Sequence, residues 1–193
     1  MSLADKITSL RLILAPFFFM LYLLPEYIPW LQDQLWVLVA LWLLFIIIEG
    51  SDWLDGKIAR LRNEVSDFGK LYDPFADTLV RITYFLCFVF TRILPVIPLL
   101  VILFREFGIL FLRILMMKKG IVMGARRGGK LKAVSYMFTG LLCLLSVSIE
   151  RLGFLSLVPP LRQAASIIFI LSMIIAALSF IDYFIVYLKA GKD

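Results

Sequence analysis

The sequence contains no histidine. Histidine-dependent catalytic triads, zinc sites with histidine ligands and histidine general bases are therefore excluded. Cysteine is nearly absent as well, since Cys87 and Cys143 are the only two and both lie within apolar segments. Structural disulfides are not expected from such a pair, so cysteine usage does not indicate the compartment.

Charged residues are scarce too. They make up 18% of the 193 residues, whereas 62% are hydrophobic, and the mean hydropathy is +0.97. A soluble domain of this length does not need so much apolar surface. The composition predicts an all-α integral membrane protein, with a single membrane domain over residues 1–193 and no separate soluble domain.

The apolar runs predict six transmembrane helices, preceded by a short amphipathic juxtamembrane helix over residues 2–11. In that first segment Leu3, Ile7, Leu10 and Leu14 recur at helical spacing, which is typical of a helix lying on a membrane surface. The predicted spans, the first of them kinked at Pro16, cover residues 12–24, 34–57, 69–91, 96–117, 133–149 and 163–188. A basic, glycine-rich loop is predicted over residues 118–132.

The distribution of positive charge predicts the topology. Six spans place both termini on one side of the membrane, and fourteen of the 20 lysines and arginines fall on that side, against three on the other. The positive-inside rule then puts both termini and the basic loop in the cytoplasm. The net charge of +6 is thus explained by topology and anionic lipid, and no nucleic-acid partner is expected.

Two pairs of aspartates stand at the predicted cytoplasmic ends of adjacent spans. Asp52 and Asp55 end the second span, and Asp73 and Asp77 begin the third. Each pair shares a helix face because its members are three or four residues apart. The polar segment 57–67 is predicted to be a turn that brings the two acidic faces together, and converging carboxylates repel one another unless they hold cations.

The residues around these acids favour a magnesium or manganese site that works on phosphate. Oxygen ligands without histidine or nearby cysteine suit Mg²⁺ or Mn²⁺, as one ion or as a pair about 3.5–4 Å apart of the kind that supports phosphoryl transfer. Gly56 and Ala59 allow a ligand to approach the helix closely, and Arg60 can pair with a phosphate.

The whole motif resembles the signature of the CDP-alcohol phosphatidyltransferase family. It reads Asp52-x-x-Asp55-Gly56-x-x-Ala59-Arg60, followed by Gly69-x-x-x-Asp73-x-x-x-Asp77. The resemblance implies that an alcohol hydroxyl attacks the β-phosphorus of a CDP-linked donor and expels CMP. It also implies a metal centre of the four aspartates with Asp77 as the base, and a homodimer. The implied CDP site consists of Gly56, Ala59, Arg60 and Gly69.

Three further segments resemble the phosphatidylglycerophosphate synthase branch, whose donor is CDP-diacylglycerol and whose acceptor is sn-glycerol 3-phosphate. They are Asp73-Pro74-x-Ala76-Asp77, Arg105-Glu106-Phe107 and Gly129-Lys130-x-Lys132. Cations for an acceptor phosphate are expected from Arg105, Arg113, Lys130 and Lys132.

Departures from that branch leave the acceptor open. The branch usually has Asn, Lys and Thr where Asp5, Thr78 and Ala133 stand, so inositol phosphate, serine or another alcohol remain alternatives. Adjacent side chains diverge by roughly 100° on a helix, so Arg105 and Glu106 are not expected to pair.

Two other functional classes compete with the enzyme. A divalent-cation transporter also carries acids within its spans, but it needs polar residues that continue to the far side, and the outer halves of the spans are apolar runs without an internal repeat. A lipid-binding scaffold that uses the basic loop leaves the four aspartates unexplained.

Overall fold

A computed structural model of the chain describes the backbone of residues 3–62, 67–121 and 127–189, and the side chains of residues 5–51, 69, 71–121 and 131–189. Six long helices account for most of these residues, and the described ranges contain no strand. The helices are α1 (Leu3–Tyr27), α2 (Leu35–Arg62), α3 (Asp67–Phe90), α4 (Val96–Lys118), α5 (Arg127–Arg151) and α6 (Val158–Lys189). The predicted all-α fold is confirmed.

The first helix shows that the prediction of a separate juxtamembrane helix over residues 2–11 was wrong. That segment forms the first turns of α1, which continues through Pro16 to Tyr27. Its buried positions are spaced three or four residues apart and form one face of a single helix: Asp5, Thr8, Arg11, Ala15 and Phe18. The polar face is buried in the bundle and Leu10 is exposed, the reverse of what a surface helix requires.

Three other boundaries differ from the predicted ones. Helix α2 extends to Arg62, so the first half of the predicted turn is helical, while residues 63–66 lie outside the described part. Helix α5 begins at Arg127, which shortens the predicted basic loop. Helix α6 begins at Val158 and holds Pro159 and Pro160 in its first turn, where a missing N–H costs no helical hydrogen bond.

The described helices include three that are long and apolar enough to cross a membrane by length and composition. These stretches are Asp5–Tyr27, Leu131–Arg151 and Leu155–Lys189, and a shorter apolar stretch covers Leu35–Ser51. Helices α3 and α4 are outside this set because they carry charged residues along their lengths, such as Arg81 in α3 and Arg105 in α4. Together with the composition, these helices identify an integral membrane protein.

A layer of buried aromatic rings fills the middle of the bundle. Tyr84 on α3 lies at its centre, with its ring centroid 5.9 Å from that of Phe45 on α2 and 5.0 Å from that of Phe85. The ring of Phe85 in turn contacts those of Tyr136 on α5 and Phe169 on α6. The Tyr84 hydroxyl donates a 2.7 Å hydrogen bond to Glu49. The layer of rings thus separates the two polar ends of the described bundle.

Close packing against this layer predicts opposite effects at two helical glycines. A Cβ atom at Gly140 would lie 3.0 Å from Phe45 Cε2 and 3.5 Å from Tyr84 Cε2, whereas one at Gly50 would meet no atom within 4 Å. Overpacking costs about 1–3 kcal/mol, and replacing a helical glycine by alanine gains about 1 kcal/mol. We expect Gly140→Ala to lower the free energy of unfolding by about 1–2 kcal/mol.

Gly50→Ala is the matched control and should leave this free energy unchanged or raise it by up to about 1 kcal/mol. Unfolding of both variants in mixed detergent micelles measures the difference. A Gly140→Ala protein as stable as Gly50→Ala would show that the aromatic layer is loosely packed.

Candidate functional site

A cavity of about 280 Å³ opens at one polar end of the bundle. Residues of α3, α4, α5 and α6 line it. Its charged lining residues are Asp73, Asp77, Arg81, Arg105, Glu106, Arg113 and Lys132. The structure thus brings two of the four predicted metal ligands together with three of the four predicted acceptor-binding cations.

The start of α1 docks onto the acidic pair of α3. Thr8 Oγ1 donates a 2.8 Å hydrogen bond to Asp73 Oδ1, and Arg11 Nη1 donates a 2.6 Å hydrogen bond to Asp77 Oδ1. The Arg11 side chain is only 2% exposed, whereas that of Asp77 is 34% exposed. Arg11 therefore holds the Asp77 carboxylate from the buried side and leaves it accessible from the cavity.

Thr8 and Arg11 were not among the predicted site residues. A signal was present, because Asp5, Thr8 and Arg11 follow one another at three-residue spacing and continue the buried face of an apolar span. Polar residues on the bundle-facing side of a membrane helix indicate a site better than the apolar stripe on its other side does.

Several predicted site residues lie outside the described side chains. Asp52, Asp55, Gly56, Ala59 and Arg60 belong to the helical backbone of α2, and Lys130 belongs to that of α5, but their side chains are not described. Gly69 lies one turn before Asp73 on α3. In the described part of the chain, no three acidic or cysteine side chains are grouped so that they could hold a metal ion, so the four-aspartate centre stays a prediction.

A buried carboxylate, Glu106, organises the cations of the cavity. Its oxygens accept hydrogen bonds from Lys132 Nζ at 2.6 and 2.8 Å, Arg105 Nη1 at 3.0 Å and the Tyr136 hydroxyl at 3.2 Å. The Glu106 residue is 7% exposed. A buried carboxylate is stable when it is paired and hydrogen-bonded in this way, so the charges of Lys132 and Arg105 are partly neutralised before any ligand binds.

The prediction that Arg105 and Glu106 do not pair was wrong. The Cβ atoms of adjacent residues diverge, but a long arginine side chain can bend back over its own helix. The pairing is favoured here because both residues are buried, at 6% and 7% exposure. Arg105 also donates to the carbonyl of Ala176 and to Ser179 Oγ, so it joins α4 to α6.

Arg113 and Arg81 complete the positive lining. Arg113 Nη2 is 3.5 Å from the Tyr183 hydroxyl, and Arg113 Nε is buried with no hydrogen-bond partner among the described residues. Arg81 donates to the carbonyl of Ala133 at 3.4 Å. Arg81 was not among the predicted site residues, and it lines the cavity one turn after Asp77 on α3.

The three positions that depart from the synthase branch lie at or near this site. Thr78 and Ala133 line the cavity, and Asp5 is buried on the face of α1 that carries Thr8 and Arg11. Two of the three departures thus lie in the wall of the cavity.

Comparison with known proteins finds one family over most of the chain. The sequence profile of the CDP-alcohol phosphatidyltransferase family matches residues 1–181. The chain is 39% identical over 189 residues to the CDP-diacylglycerol–glycerol-3-phosphate 3-phosphatidyltransferase of Treponema pallidum, covering 95% of this chain and 88% of that protein. It is 35% identical over 141 residues to the protein of the same name from Bacillus subtilis, covering 68% and 70%. Over 106 residues it is 36% identical to a cardiolipin synthase (CMP-forming) of Streptomyces coelicolor, covering 55% and 47%.

The contact between α1 and α3 predicts energetic coupling of Arg11 and Asp77. A part-buried, charge-assisted hydrogen bond of 2.6 Å is expected to couple the two residues by about 1–3 kcal/mol. Unfolding of Arg11→Ala, Asp77→Ala and the double variant in mixed micelles measures this coupling. Thr8→Ala combined with Asp77→Ala serves as the control, since Thr8 bonds Asp73 instead. A coupling below about 0.5 kcal/mol for the first pair would contradict the docking of α1.

Proposed function

Because the chain belongs to the CDP-alcohol phosphatidyltransferase family, we propose that it transfers the phosphatidyl group of CDP-diacylglycerol to sn-glycerol 3-phosphate. The products are CMP and phosphatidylglycerophosphate, so the protein acts in phospholipid biosynthesis. Two long-matching relatives bear the name of this reaction. The structural observation that carries the proposal is the cavity in which Asp73 and Asp77 face Arg113, Lys132 and Arg81.

The cavity suits a small phosphorylated acceptor. Its volume of about 280 Å³ is near the lower end of the range for small-molecule pockets. Arg113 supplies a buried N–H without a described acceptor, and a phosphate oxygen would satisfy it with a charge-assisted hydrogen bond. Arg105 and Lys132, held by Glu106, would add positive charge, and Lys130 would do so from the start of α5.

The oxygen donors of Asp73 and Asp77 fit a hard divalent cation. We infer that these residues, with Asp52 and Asp55, would hold Mg²⁺ or Mn²⁺ as one ion or two. When bound, the metal would polarise the donor diphosphate and stabilise the departing CMP. Gly56, Ala59, Arg60 and Gly69 would line the CDP side of the site.

Asp77 is proposed as the general base. The acceptor hydroxyl would form a bond to the β-phosphorus while the bond from that phosphorus to CMP breaks, and the hydroxyl proton would pass to the Asp77 carboxylate. Arg11 would orient this carboxylate through the hydrogen bond to its Oδ1, and Thr8 would do the same for Asp73.

We further propose that all six helices cross the membrane as one domain over residues 1–193, with both termini in the cytoplasm and the site open to it. The charges of α3 and α4 that line the cavity would then face the bundle interior and not lipid. The lipid donor would enter from the cytoplasmic leaflet and the acceptor from water. A homodimer is part of the proposal by family resemblance.

Cation transport is disfavoured in comparison. The buried aromatic layer around Tyr84 interrupts any polar path between the two ends of the described bundle, and a transporter needs such a path.

The base assignment predicts that Asp77→Asn lowers CMP release by about 100-fold or more, since general base catalysis contributes 10²–10⁴-fold. The assay uses purified protein with CDP-diacylglycerol, Mg²⁺ and one acceptor at a time, beginning with sn-glycerol 3-phosphate. Arg92→Gln, at an exposed position at the other end of the bundle, is the control and should retain activity within about two-fold. Transfer only to inositol phosphate or serine would show that the proposed acceptor is wrong while the reaction type is right. No CMP release by folded protein with any acceptor would contradict the reaction itself.

The acceptor site predicts a selective change of KM in Arg113→Lys. Lysine keeps the charge but loses the planar N–H groups, so the KM for sn-glycerol 3-phosphate should rise about ten-fold or more, as expected for a lost hydrogen bond to a charged group. The KM for CDP-diacylglycerol should change by less than about two-fold. Arg92→Lys, at an exposed position far from the cavity, should alter neither constant. An equal rise of both constants would place Arg113 outside the acceptor site.

A further inference from the structure

A second cavity, of about 510 Å³, lies at the opposite end of the bundle. The last turns of α1 and α5, the turn that follows α3, the start of α6 and a 3₁₀ turn at Pro29–Asp33 surround it. Thr91, which lines it, is fourteen residues after Asp77, so about 21 Å of helical rise separates Thr91 from the proposed catalytic carboxylate. The proposed transferase site therefore does not account for this cavity, whose lining residues take no part in the proposed reaction.

Charges of both signs line this far cavity. Glu26, Asp33 and Glu150 contribute carboxylates, and Arg151 and Arg162 contribute guanidinium groups. Arg162 Nη2 donates a 2.5 Å hydrogen bond to Glu150 Oε2. The acids are not grouped as a metal centre within the described residues, so an organic ligand fits the lining better than a cation does.

The two arginines leave buried donors for such a ligand. Arg151 Nη1 and Arg162 Nε are buried and have no hydrogen-bond partner among the described residues. Leaving a buried donor unsatisfied is unfavourable. Guanidinium groups bind phosphate oxygens well, because their planar N–H groups match the phosphate geometry.

The carboxylates indicate that a phosphate alone is not the complete ligand. Glu26, Asp33 and Glu150 outnumber the two arginines, so a simple anion would enter a region of net negative charge. Glu26 and Asp33 are exposed residues of the lining, and their carboxylates would attract an ammonium group. A ligand that carries both a phosphate and an amine satisfies both halves of the lining.

The surroundings of the cavity identify the source of that ligand. Large apolar and aromatic side chains are exposed at this end, including Tyr27, Trp30 and Phe154 at 72%, 61% and 60%. Exposed Tyr and Trp are typical of the boundary between lipid tails and head groups. We propose that the far cavity binds the head group of a zwitterionic phospholipid, with its phosphate on Arg151 and Arg162 and its ammonium on Glu26 and Asp33.

Native mass spectrometry of the detergent-purified full chain tests the proposal. The protein is titrated with dioleoyl phosphatidylethanolamine, with dioleoyl phosphatidylglycerol, and with the former in the presence of O-phosphorylethanolamine. Arg151→Gln should weaken binding of the ethanolamine lipid by about ten-fold or more, and Arg92→Gln, an exposed arginine at the same end but outside the cavity lining, should not. A single cooperative thermal unfolding transition of each variant in detergent shows that both are folded.

A second variant tests the ammonium half of the site. Glu26→Gln should reduce the preference for the ethanolamine lipid over the glycerol lipid while total lipid binding changes less than in Arg151→Gln. Competition by O-phosphorylethanolamine would assign recognition to the head group, as proposed. Equal binding of both lipids in the wild type, or equal loss in Arg151→Gln and Arg92→Gln, would overturn the proposal; the first result would leave an anion site and the second a nonspecific lipid surface.

Discussion

The carboxylate of Glu106 accepts hydrogen bonds from three side chains on two helices, and the polar half of the bundle depends on this arrangement. Charged groups inside an apolar bundle are stable only when an opposite charge and hydrogen bonds compensate for lost water. Glu106 does this for Arg105 and Lys132, while Tyr136 satisfies it further. Because Lys132 belongs to α5 and Arg105 reaches α6, this one carboxylate ties α4 to α5 directly and to α6 through Arg105.

This arrangement divides the cations of the cavity into two groups. Arg105 and Lys132 connect the helices that line the cavity and keep part of their positive charge. Arg113, in contrast, has a buried N–H that donates to no described residue. The Asp77 carboxylate is likewise held in place: Arg11 contacts it from the buried side, and the rest of its surface faces the cavity. Preorganised charges of this kind suit a reaction in which negative charge moves between phosphates.

Much of the fold and part of the site were predictable from the sequence. Long apolar runs specify helices, so the six helices were found, and the spacing of Asp73 and Asp77 indicated a shared face. The role of α1 was misjudged because its apolar stripe and its polar face were both plausible buried faces, and only the packing against α3 decides between them. The Arg105–Glu106 pair was missed because the prediction considered only the directions of the two Cα–Cβ bonds, which diverge. The arginine side chain is long enough to bend back to the neighbouring carboxylate. Arg81 joined the cavity through the tertiary arrangement of α3 and α5, which no local pattern contains.

Pro16 lies inside α1, between the turns that carry Thr8 and Arg11 and the aromatic layer. Proline has no N–H, so the carbonyl of Leu12 lacks its usual helical partner and the turn between them is soft. Beyond this turn Tyr22 of α1 packs against Phe88 of α3, with ring centroids 5.4 Å apart, next to the aromatic layer. The first turns of α1, which carry Thr8 and Arg11, can thus move relative to the rest of the helix. A displacement of Asp73 and Asp77 would tilt this segment as a unit through its hydrogen bonds to them, while the aromatic layer stays in place.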